Sequence, residues 1–370
     1  MTFDSSNSRR AALTRRQAAL TLLGGAGAMA LPSAAFAQAR APIKLTVGNA
    51  TVSTPPYAAY NTSIPQEIFF VQEGLDVKMI GLGGATVAVQ AVGVGQVDIG
   101  QATTSAPLSL LEKQPDSDIR AFYTITNGFQ NPPAVLRDSP IRSLADLSGK
   151  TVGVQALANS SVDTTKALVQ IAGGNGASLK FVAIGQGAEA AHALQTKRVD
   201  AAALFDGLYG QIEASGVPLR LLISDATNQN AVGFSAVLIT RAGFLKDHRD
   251  ALVRFGRAIA KATVFAKANP EAAVRIHWKQ YPETKQRGVS DEDAMKSSLA
   301  SLHARLENVY EVDGMFGNSN ARQIDGYLNL MRTGGLLKMG SIGGFWEPGL
   351  VREMNNFDKD AIRKMAREWK

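Results

Sequence analysis

A glycine pair at the start of a predicted helix is one place in this sequence where a ligand could bind. Gly83-Gly84-Ala85-Thr86 follows a strand-like run and precedes apolar residues at helical spacing. The first amides of a helix lack partners within it, and with the helix dipole they favour an anion or another strong hydrogen-bond acceptor. Glycine also lets ligand atoms approach the backbone. We therefore predict that Gly84, Ala85 and Thr86 contact a solute; the alternative is a turn that only begins a helix.

A second candidate lies at the serines before another predicted helix. Ser160 and Ser161 precede apolar residues at helical spacing, so Ser161 and nearby amides could donate hydrogen bonds to the same solute. Ser160 and Asp163 also have the spacing of a capping box, which would give the segment a purely structural role. Asp163 argues against a doubly charged anion at this helix start.

Other candidates follow predicted strands or prolines. The hydroxyls after the strand that ends at Gly100 could bind solute oxygens, or they could cap the helix that begins near Pro107. An asparagine and a phenylalanine lie at the end of a further predicted strand and could contact the solute. The tyrosine after Pro55-Pro56 could close the entrance to the binding site. These candidates are Thr103, Thr104, Asn127, Phe129 and Tyr57.

The composition excludes several kinds of chemistry. The 370 residues contain no cysteine, which excludes thiol nucleophiles, disulfides and cysteine-based metal sites. The four histidines show no metal-ligand spacing, and no nucleophile–base–orienter set is evident. The net charge of +7 includes no run of lysine and arginine of the kind that binds nucleic acid. We expect no catalytic residue, no metal, no cofactor and no nucleic-acid partner.

The first 37 residues are predicted to be an export signal. Arg15-Arg16 precedes a glycine-broken apolar stretch, which is too short for the ~20 residues of a stable membrane-spanning helix. Small residues at Ala35 and Ala37 fit a cleavage site, and the arginine pair resembles the twin-arginine type of signal. We expect a periplasmic protein cleaved near Ala37. The export route stays open, and the alternative is an uncleaved membrane anchor.

The rest of the chain repeats one pattern, which indicates two similar halves. Thr46-Val47-Gly48 matches Thr151-Val152-Gly153, and Gln96-Val97-Asp98 matches Arg198-Val199-Asp200 at nearly the same offset. A third match, at 75–83 and 179–187, has that offset too. Such a period is far too long for a solenoid.

Each half alternates short β-branched runs with helical periodicity. The predicted strands include 44–48, 77–80, 151–154 and 181–184, and one predicted helix would bury Val87, Ala91 and Val94. This alternation predicts an α/β fold with mostly parallel sheets, whose ligands lie beyond the carboxyl ends of the strands. From residue 243 the pattern becomes helical, with candidate helices at 243–268, 270–281, 291–306, 318–333 and 355–369.

Four segments resemble one known family in sequence and spacing. They are 69–77 (FFVQEGLDV), 83–86 (GGAT), 95–100 (GQVDIG) and 143–154 (SLADLSGKTVGV). They resemble the periplasmic substrate-binding proteins of ABC importers, in the nitrate, taurine and alkanesulfonate group related to thiamine-pyrimidine-synthesis proteins. The resemblance covers about residues 40–335.

The resemblance implies a two-lobe periplasmic-binding-protein fold of type II, in which each lobe is a mostly parallel sheet flanked by helices. Lobe one would comprise 38–135 and 238–340, and lobe two, inserted into it, 136–237. The last segment, 341–370, would pack as a helix on lobe one. The chain would cross between lobes near 133–137 and 234–238, where we expect a pair of hinge strands.

One segment departs from the family pattern. Many members carry an aromatic residue, any residue and then proline where this chain has Phe205-Asp206-Gly207. Phe205 keeps the aromatic residue that would line the cleft. If Asp206 faces the cleft, its carboxylate needs a basic partner or a solute that donates hydrogen bonds. The segment 207–216 contains no basic residue, which favours a donor-bearing solute; the alternative is that Asp206 is a solvated turn residue.

The function implied by the resemblance is a non-catalytic, monomeric receptor that captures a small solute and docks on an ABC permease. The expected solute is a sulfonate, nitrate or carboxylate, with or without an amino group. A binder of a pyrimidine-type vitamin precursor and an exported enzyme like the thiamine-pyrimidine synthases are the alternatives, although the cysteine-rich motif of those enzymes is missing here. A sensor would look the same at the level of sequence.

Overall fold

The computed structural model describes residues 41–51, 54–157, 159–223 and 232–369. The predicted export signal lies outside these residues. The strands are β1 (Ile43–Asn49), β2 (Leu75–Gly81), β3 (Ile99–Thr103), β4 (Ile119–Thr126), β5 (Ala134–Leu136), β6 (Thr151–Val154), β7 (Lys180–Ala183), β8 (Ala201–Ala203), β9 (Leu219–Leu221) and β10 (Ala236–Arg241).

The helices include two short ones, α1 and α12, and a long α8. They are α1 (Phe70–Gln72), α2 (Ala85–Gly93), α3 (Ser105–Lys113), α4 (Ser161–Ile171), α5 (Ala188–Gln195), α6 (Asp206–Ala214), α7 (Ala242–Asp247), α8 (Arg249–Ala268), α9 (Pro270–Gln280), α10 (Asp291–Glu307), α11 (Ala321–Thr333), α12 (Val351–Met354) and α13 (Lys359–Glu368). None of the described helices is both long enough and apolar enough to cross a membrane.

The strands form two five-stranded sheets with the same plan. The first sheet has the order β2-β1-β3-β10-β4, and the second has the order β7-β6-β8-β5-β9. The first three strands of each order are parallel, whereas the fourth, β10 or β5, is antiparallel to its neighbours. The predicted fold class, two α/β lobes, is confirmed. We call the lobe built on the first sheet the first lobe and the other the second lobe.

The sequence repeat corresponds to one contact made twice. The side chain of Asp98 accepts a hydrogen bond from the backbone N–H of Thr46 at 2.8 Å, and Asp200 does the same for Thr151 at 2.8 Å. In both lobes this bond joins the loop before β3 or β8 to the middle one of the three parallel strands, β1 or β6. The aspartate of the G-x-V-D-I-G segment is therefore a structural residue.

The buried face of α2 differs from the predicted one. Ala91 is buried as predicted, but Val87 and Val94 are exposed, and the helix buries Ala88, Val89 and Val92 with Ala91. The helix has only nine residues, and Val94 is its C-cap, where the chain already leaves the helical path. The apolar spacing predicted the helix correctly but not the side of it that packs.

The two strands at the predicted crossings do not pair with each other. The antiparallel strand β5 belongs to the second sheet, and β10 belongs to the first. Each strand enters its sheet as the chain arrives from the other lobe, so the expectation of one hinge pair is wrong. The connection from β4 to β5, residues 127–133, is buried along its whole length.

The helices after residue 243 contact both lobes. Both α12 and α13 pack on α8, consistent with the edge-to-face contact of Trp369 with Phe265 at 5.6 Å. By contrast, α10 packs on α6 and α11 packs on α4, which are helices of the second lobe. We expected these helices to complete the first lobe alone, but a hydrophobic cluster that includes Tyr327 of α11 joins residues of both sheets.

Candidate functional site

The carboxylate of Asp206, at the first residue of α6, is held by a basic side chain from α10. Arg305 Nε lies 2.8 and 2.9 Å from the two carboxylate oxygens, and Nη2 lies 2.6 Å from Oδ1. The backbone N–H of Gly207 and Nδ2 of Asn308 donate two further bonds, at 2.7 and 2.8 Å. Both side chains of the ion pair are only 7% exposed. Asp206 is therefore neither a solvated turn residue nor a carboxylate without a basic partner.

Tyr57 completes this cluster from the first lobe. Its ring lies under the guanidinium of Arg305, with the ring centroid 4.5 Å from Cζ, and it also packs on the backbone of Gly207. A Cβ at Gly207 would come within 2.4 Å of the ring, so glycine at this position makes room for Tyr57. The departure from the family pattern thus has a physical reason: Asp206 binds Arg305, and Gly207 accommodates Tyr57.

Electrostatics favour the ionised pair. Burial alone lowers the pKa of the Arg305 guanidinium, but the Asp206 carboxylate, with Tyr60 and Tyr57, raises the net pKa above its ordinary value. Burial also raises the pKa of the Tyr57 hydroxyl. Arg305 is therefore a buried positive charge that the Asp206 carboxylate compensates inside the protein.

The same cluster fixes the connection between the lobes. The carbonyl oxygen of Asn308 accepts hydrogen bonds from the backbone N–H groups of Asn127 and Gly128, at 2.9 and 3.0 Å. Asn127 Nδ2 donates to the carbonyl oxygen of Asn318 at 2.7 Å, and the backbone N–H of Asp206 donates to Gln130 O at 2.9 Å. Asn127, predicted to bind solute, is thus engaged in holding residues 127–130.

Three side-chain amides lie near the carboxyl end of β1 in the first lobe, and we call them the first amide triad: Asn49, Asn61 and Gln101. Asn49 is the last residue of β1 and lies opposite Gln101 of β3. Asn61 Nδ2 donates to Gln101 Oε1 at 3.1 Å. Asn49 and Asn61 are about 5% and 4% exposed, and the Oδ1 atom of each has no hydrogen-bond partner.

Three further amides meet beyond β6 and β7 in the second lobe, and we call them the second amide triad: Gln155, Asn159 and Gln186. Gln155 Nε2 donates to Gln186 Oε1 at 3.2 Å, and Asn159 Nδ2 donates to Gln155 Oε1 at 3.3 Å. Two buried hydroxyls follow on α4, Ser161 Oγ and Thr165 Oγ1, and neither has a partner. Because they are four residues apart, they lie on one face of the helix.

The structure places the predicted residues of the first helix start partly in solvent. Thr86 is exposed, whereas Gly84 and Ala85 are half-buried, and Gly83 adopts a φ of 73°, in the left-handed region that favours glycine. The second helix start does not form the capping box, because Ser160 has helical backbone angles and makes no side-chain cap bond. Ser160 O instead accepts from the Thr164 hydroxyl at 2.8 Å.

The remaining predicted residues differ in how far they are engaged. Thr104 is fully buried and its hydroxyl donates to the carbonyl oxygen of Phe234, whereas Thr103 is half-buried with no side-chain bond. Phe129 packs in the cluster shared by the two sheets, and Phe205 packs beside the second-lobe core. Within the part of the chain that the structure describes, no group of three histidine, aspartate or glutamate residues could hold a metal ion.

Comparison of the sequence with known protein families identifies the family of this chain. Residues 64–273 match the family model described as "NMT1/THI5 like". The chain belongs to the NMT1/THI5-like family. No curated protein matches its sequence.

Solved structures similar to this NMT1/THI5-like chain share its fold at low identity. A protein from Bordetella bronchiseptica is 20% identical with a TM-score of 0.62, over 86% of this chain and 98% of that one. The periplasmic aliphatic sulphonate binding protein SsuA from Escherichia coli is 17% identical with a TM-score of 0.59, over 83% and 93%. The desulfurization enzyme DszB is 16% identical with a TM-score of 0.53, over 85% and 99%. The fold therefore occurs in both a binding protein and an enzyme.

Sequence reasoning missed most of the polar residues that this NMT1/THI5-like chain brings together. Asn49 and Gln155 follow the matched T-V-G segments closely, so their positions at strand ends were a usable signal. Arg305 and Asn308 gave no local signal, because they approach Asp206 only through the packing of α10 on α6.

Proposed function

We propose that this chain is a periplasmic solute receptor that encloses one small solute between its two lobes and delivers it to an ABC permease. The observation that carries the proposal is that both lobes contain buried polar atoms without partners in or beside the amide triads: Asn49 Oδ1 and Asn61 Oδ1 in the first, Ser161 Oγ and Thr165 Oγ1 in the second. Each such atom costs about 1–3 kcal/mol while it is unpaired. A solute that supplied partners to both lobes would remove this cost only when the lobes are closed.

The position of these atoms supports the proposal. In open α/β sheets, ligands bind beyond the carboxyl ends of parallel strands and beside helix starts. Asn49 ends β1, and Ser161 begins α4. Thr86, at the start of α2, would add backbone amides from the first lobe. The fold shared with the periplasmic SsuA from E. coli is consistent with a receptor.

An enzymatic role has less support from the residues. A DszB structure in complex with biphenyl-2-sulfinic acid is of a cysteine-to-serine mutant, and this chain contains no cysteine. A serine–histidine contact does occur, from Ser63 Oγ to His277 Nδ1 at 3.1 Å, but both side chains are fully buried. His277 Nε2 also contacts Thr54 O at 2.8 Å, so the pair stabilises the fold rather than facing a substrate.

Small-angle scattering tests closure directly. The purified chain is screened by thermal shift against sulfonates, nitrate, carboxylates and aminopyrimidines, and the ligand that stabilises it is added at saturation. A receptor is expected to show a smaller radius of gyration with the ligand, and mass spectrometry should recover the ligand unchanged. An unchanged radius contradicts the receptor, and a chemically altered ligand supports the enzyme.

A variant of the second lobe tests the binding residues. Ser161→Ala with Thr165→Val removes both unpaired hydroxyls, and we expect at least a ten-fold loss of affinity. Ser109→Ala on α3 is the matched control and should bind as the parent does. Equal affinity in all three proteins would show that these hydroxyls do not contact the solute.

A further inference from the structure

This inference rests on the proposed function and concerns the net charge of the solute. The side chains of the two amide triads indicate what that charge is. We propose that the solute is a polar molecule with no net charge, neutral or zwitterionic, recognised by the first and second amide triads. The alternative is an anionic solute that is bound by a lysine or arginine side chain. The proposal does not depend on Asp206, whose charge Arg305 already compensates.

The six side-chain amides of the two triads are uncharged, and their hydrogen bonds involve no lysine or arginine of the described part of the chain. An asparagine or glutamine side chain offers two donors and an acceptor and carries no charge. In the first triad Asn61 bonds to Gln101 at 3.1 Å, while Asn49 Nδ2 contacts Met79 Sδ at 3.9 Å. In the second triad all three amides are joined, at 3.2 and 3.3 Å. These bonds orient the amides and leave other donors and acceptors free. Two of those free acceptors, on Asn49 and Asn61, are buried. A solute that offers both donors and acceptors fits such groups.

The charged residues around the second triad do not favour an anion. Two helices that begin after strands of the second sheet carry an acid in the first turn: Asp163 in α4 and Glu189 in α5. These are the positions where the helix dipole would otherwise bind an anion. The carboxylate of Glu189 lies beside Gly185, next to Gln186 of the second triad.

The basic residues nearby are engaged elsewhere. Lys166 pairs with Asp163 at 3.7 Å, and Arg198 Nη2 donates to Ala183 O at 3.4 Å. Among the described residues, no lysine or arginine bonds to an amide of either triad. By contrast, the first turns of α2 and α3 in the first lobe carry no acid, so acidic residues at these helix starts oppose an anion only in the second lobe. Because an uncompensated charge is costly to bury, an anion that lacks a cationic group would be enclosed poorly.

Four probes separate the classes: cytosine is neutral, taurine is zwitterionic, and ethanesulfonate and nitrate are anions without a donor. Ethanesulfonate differs from taurine only by the amino group. We expect cytosine or taurine to raise the melting temperature and to close the protein in scattering. Their affinity should change less than two-fold between low and high salt, because screening acts on net charge.

The outcomes distinguish this inference from the proposed function. If ethanesulfonate or nitrate binds, closes the protein and weakens steeply with salt, the receptor stands and the uncharged solute is wrong. If none of the four probes binds or closes the protein, the result counts against both proposals.

Variants test the triads with whichever probe binds. Gln155→Leu and Gln101→Leu each remove one amide at nearly constant volume, and each should weaken binding at least ten-fold. Gln195→Leu, on the exposed side of α5, is the matched control and should bind as the parent does. Parent-like affinity of folded Gln155→Leu would remove the second triad from the site, even if Gln101→Leu failed to fold.

Discussion

Substitution of Arg305 by methionine should destabilise the protein more than the loss of an ordinary surface ion pair. In the parent, Asp206 accepts five hydrogen bonds, three of them from Arg305. Arg305→Met leaves a buried carboxylate with only Gly207 N–H and Asn308 Nδ2 as donors. Removal of one partner of a buried pair typically costs about 3–5 kcal/mol, because the remaining charge is not compensated.

Packing adds to this magnitude. The guanidinium also covers the ring of Tyr57, at 4.5 Å from the centroid, and methionine fills only part of that space. A cation–π contact of this kind contributes about 0.5–2 kcal/mol. We therefore expect the loss of unfolding free energy to lie toward the upper end of the range for a broken buried pair.

Urea denaturation, followed by circular dichroism, measures the change, with the slope of the transition checked between proteins so that midpoints can be compared. Arg249→Met is the matched control: it breaks the pair of Arg249 with Glu353, at 2.6 Å, whose side chains are 45% and 52% exposed. Such an exposed pair should contribute less than about 1 kcal/mol.

A double variant separates charge from packing. In Asp206→Leu with Arg305→Met both charges are absent, so the double variant should recover much of the stability that Arg305→Met loses. If Arg305→Met costs no more than Arg249→Met, or if the double variant is as unstable as the sum of its single variants, the buried pair does not have the role described here.

Three further predictions concern residues outside the proposed binding site. Burial lowers the pKa of His277 to about 4, so the folded protein keeps the imidazole neutral while the unfolded chain takes a proton below about 6.5. The unfolding free energy should fall by about 3 kcal/mol as the pH drops from 6.5 to 4, and His277→Gln should remove this slope in urea titrations; equal slopes would contradict it. Asp98→Ala should cost about 1.5–3 kcal/mol of unfolding free energy and Asp200→Ala less, because Asp200 is more exposed. A reversed order of the urea midpoints would contradict burial as the cause of the difference. Gly153→Ala should lower the unfolding free energy by about 1–3 kcal/mol, because the new Cβ would come within 2.4 Å of the buried Ile184. Gly48→Ala should lower it less, because the half-exposed Leu82 can move away. Melting temperatures from calorimetry rank the two variants.

The sequence alone was sufficient for many of the strands and helices and for the repeat of one pattern in the two lobes. The strand 151–154 agrees with β6, and the helix predicted at 270–281 agrees with α9 to within one residue. The matched T-V-G segments occupy equivalent strands, the second in the order of each sheet. These features were predictable because strand and helix patterns depend on residues close together in the chain. The buried face of α2 was not, because it depends on what packs against a short helix.

Only the tertiary structure decided which polar groups are paired inside the protein and which buried polar atoms have no partner. The sequence offers Asp206 no base within the next ten residues, because its partner Arg305 is 99 positions away and reaches it through the contact of α10 with α6. Asn61 and Gln101 meet from elements 40 positions apart. Side-chain charge and hydrogen bonding act across space, so the partners of a buried group follow from packing between distant segments, and a local pattern carries no information about them.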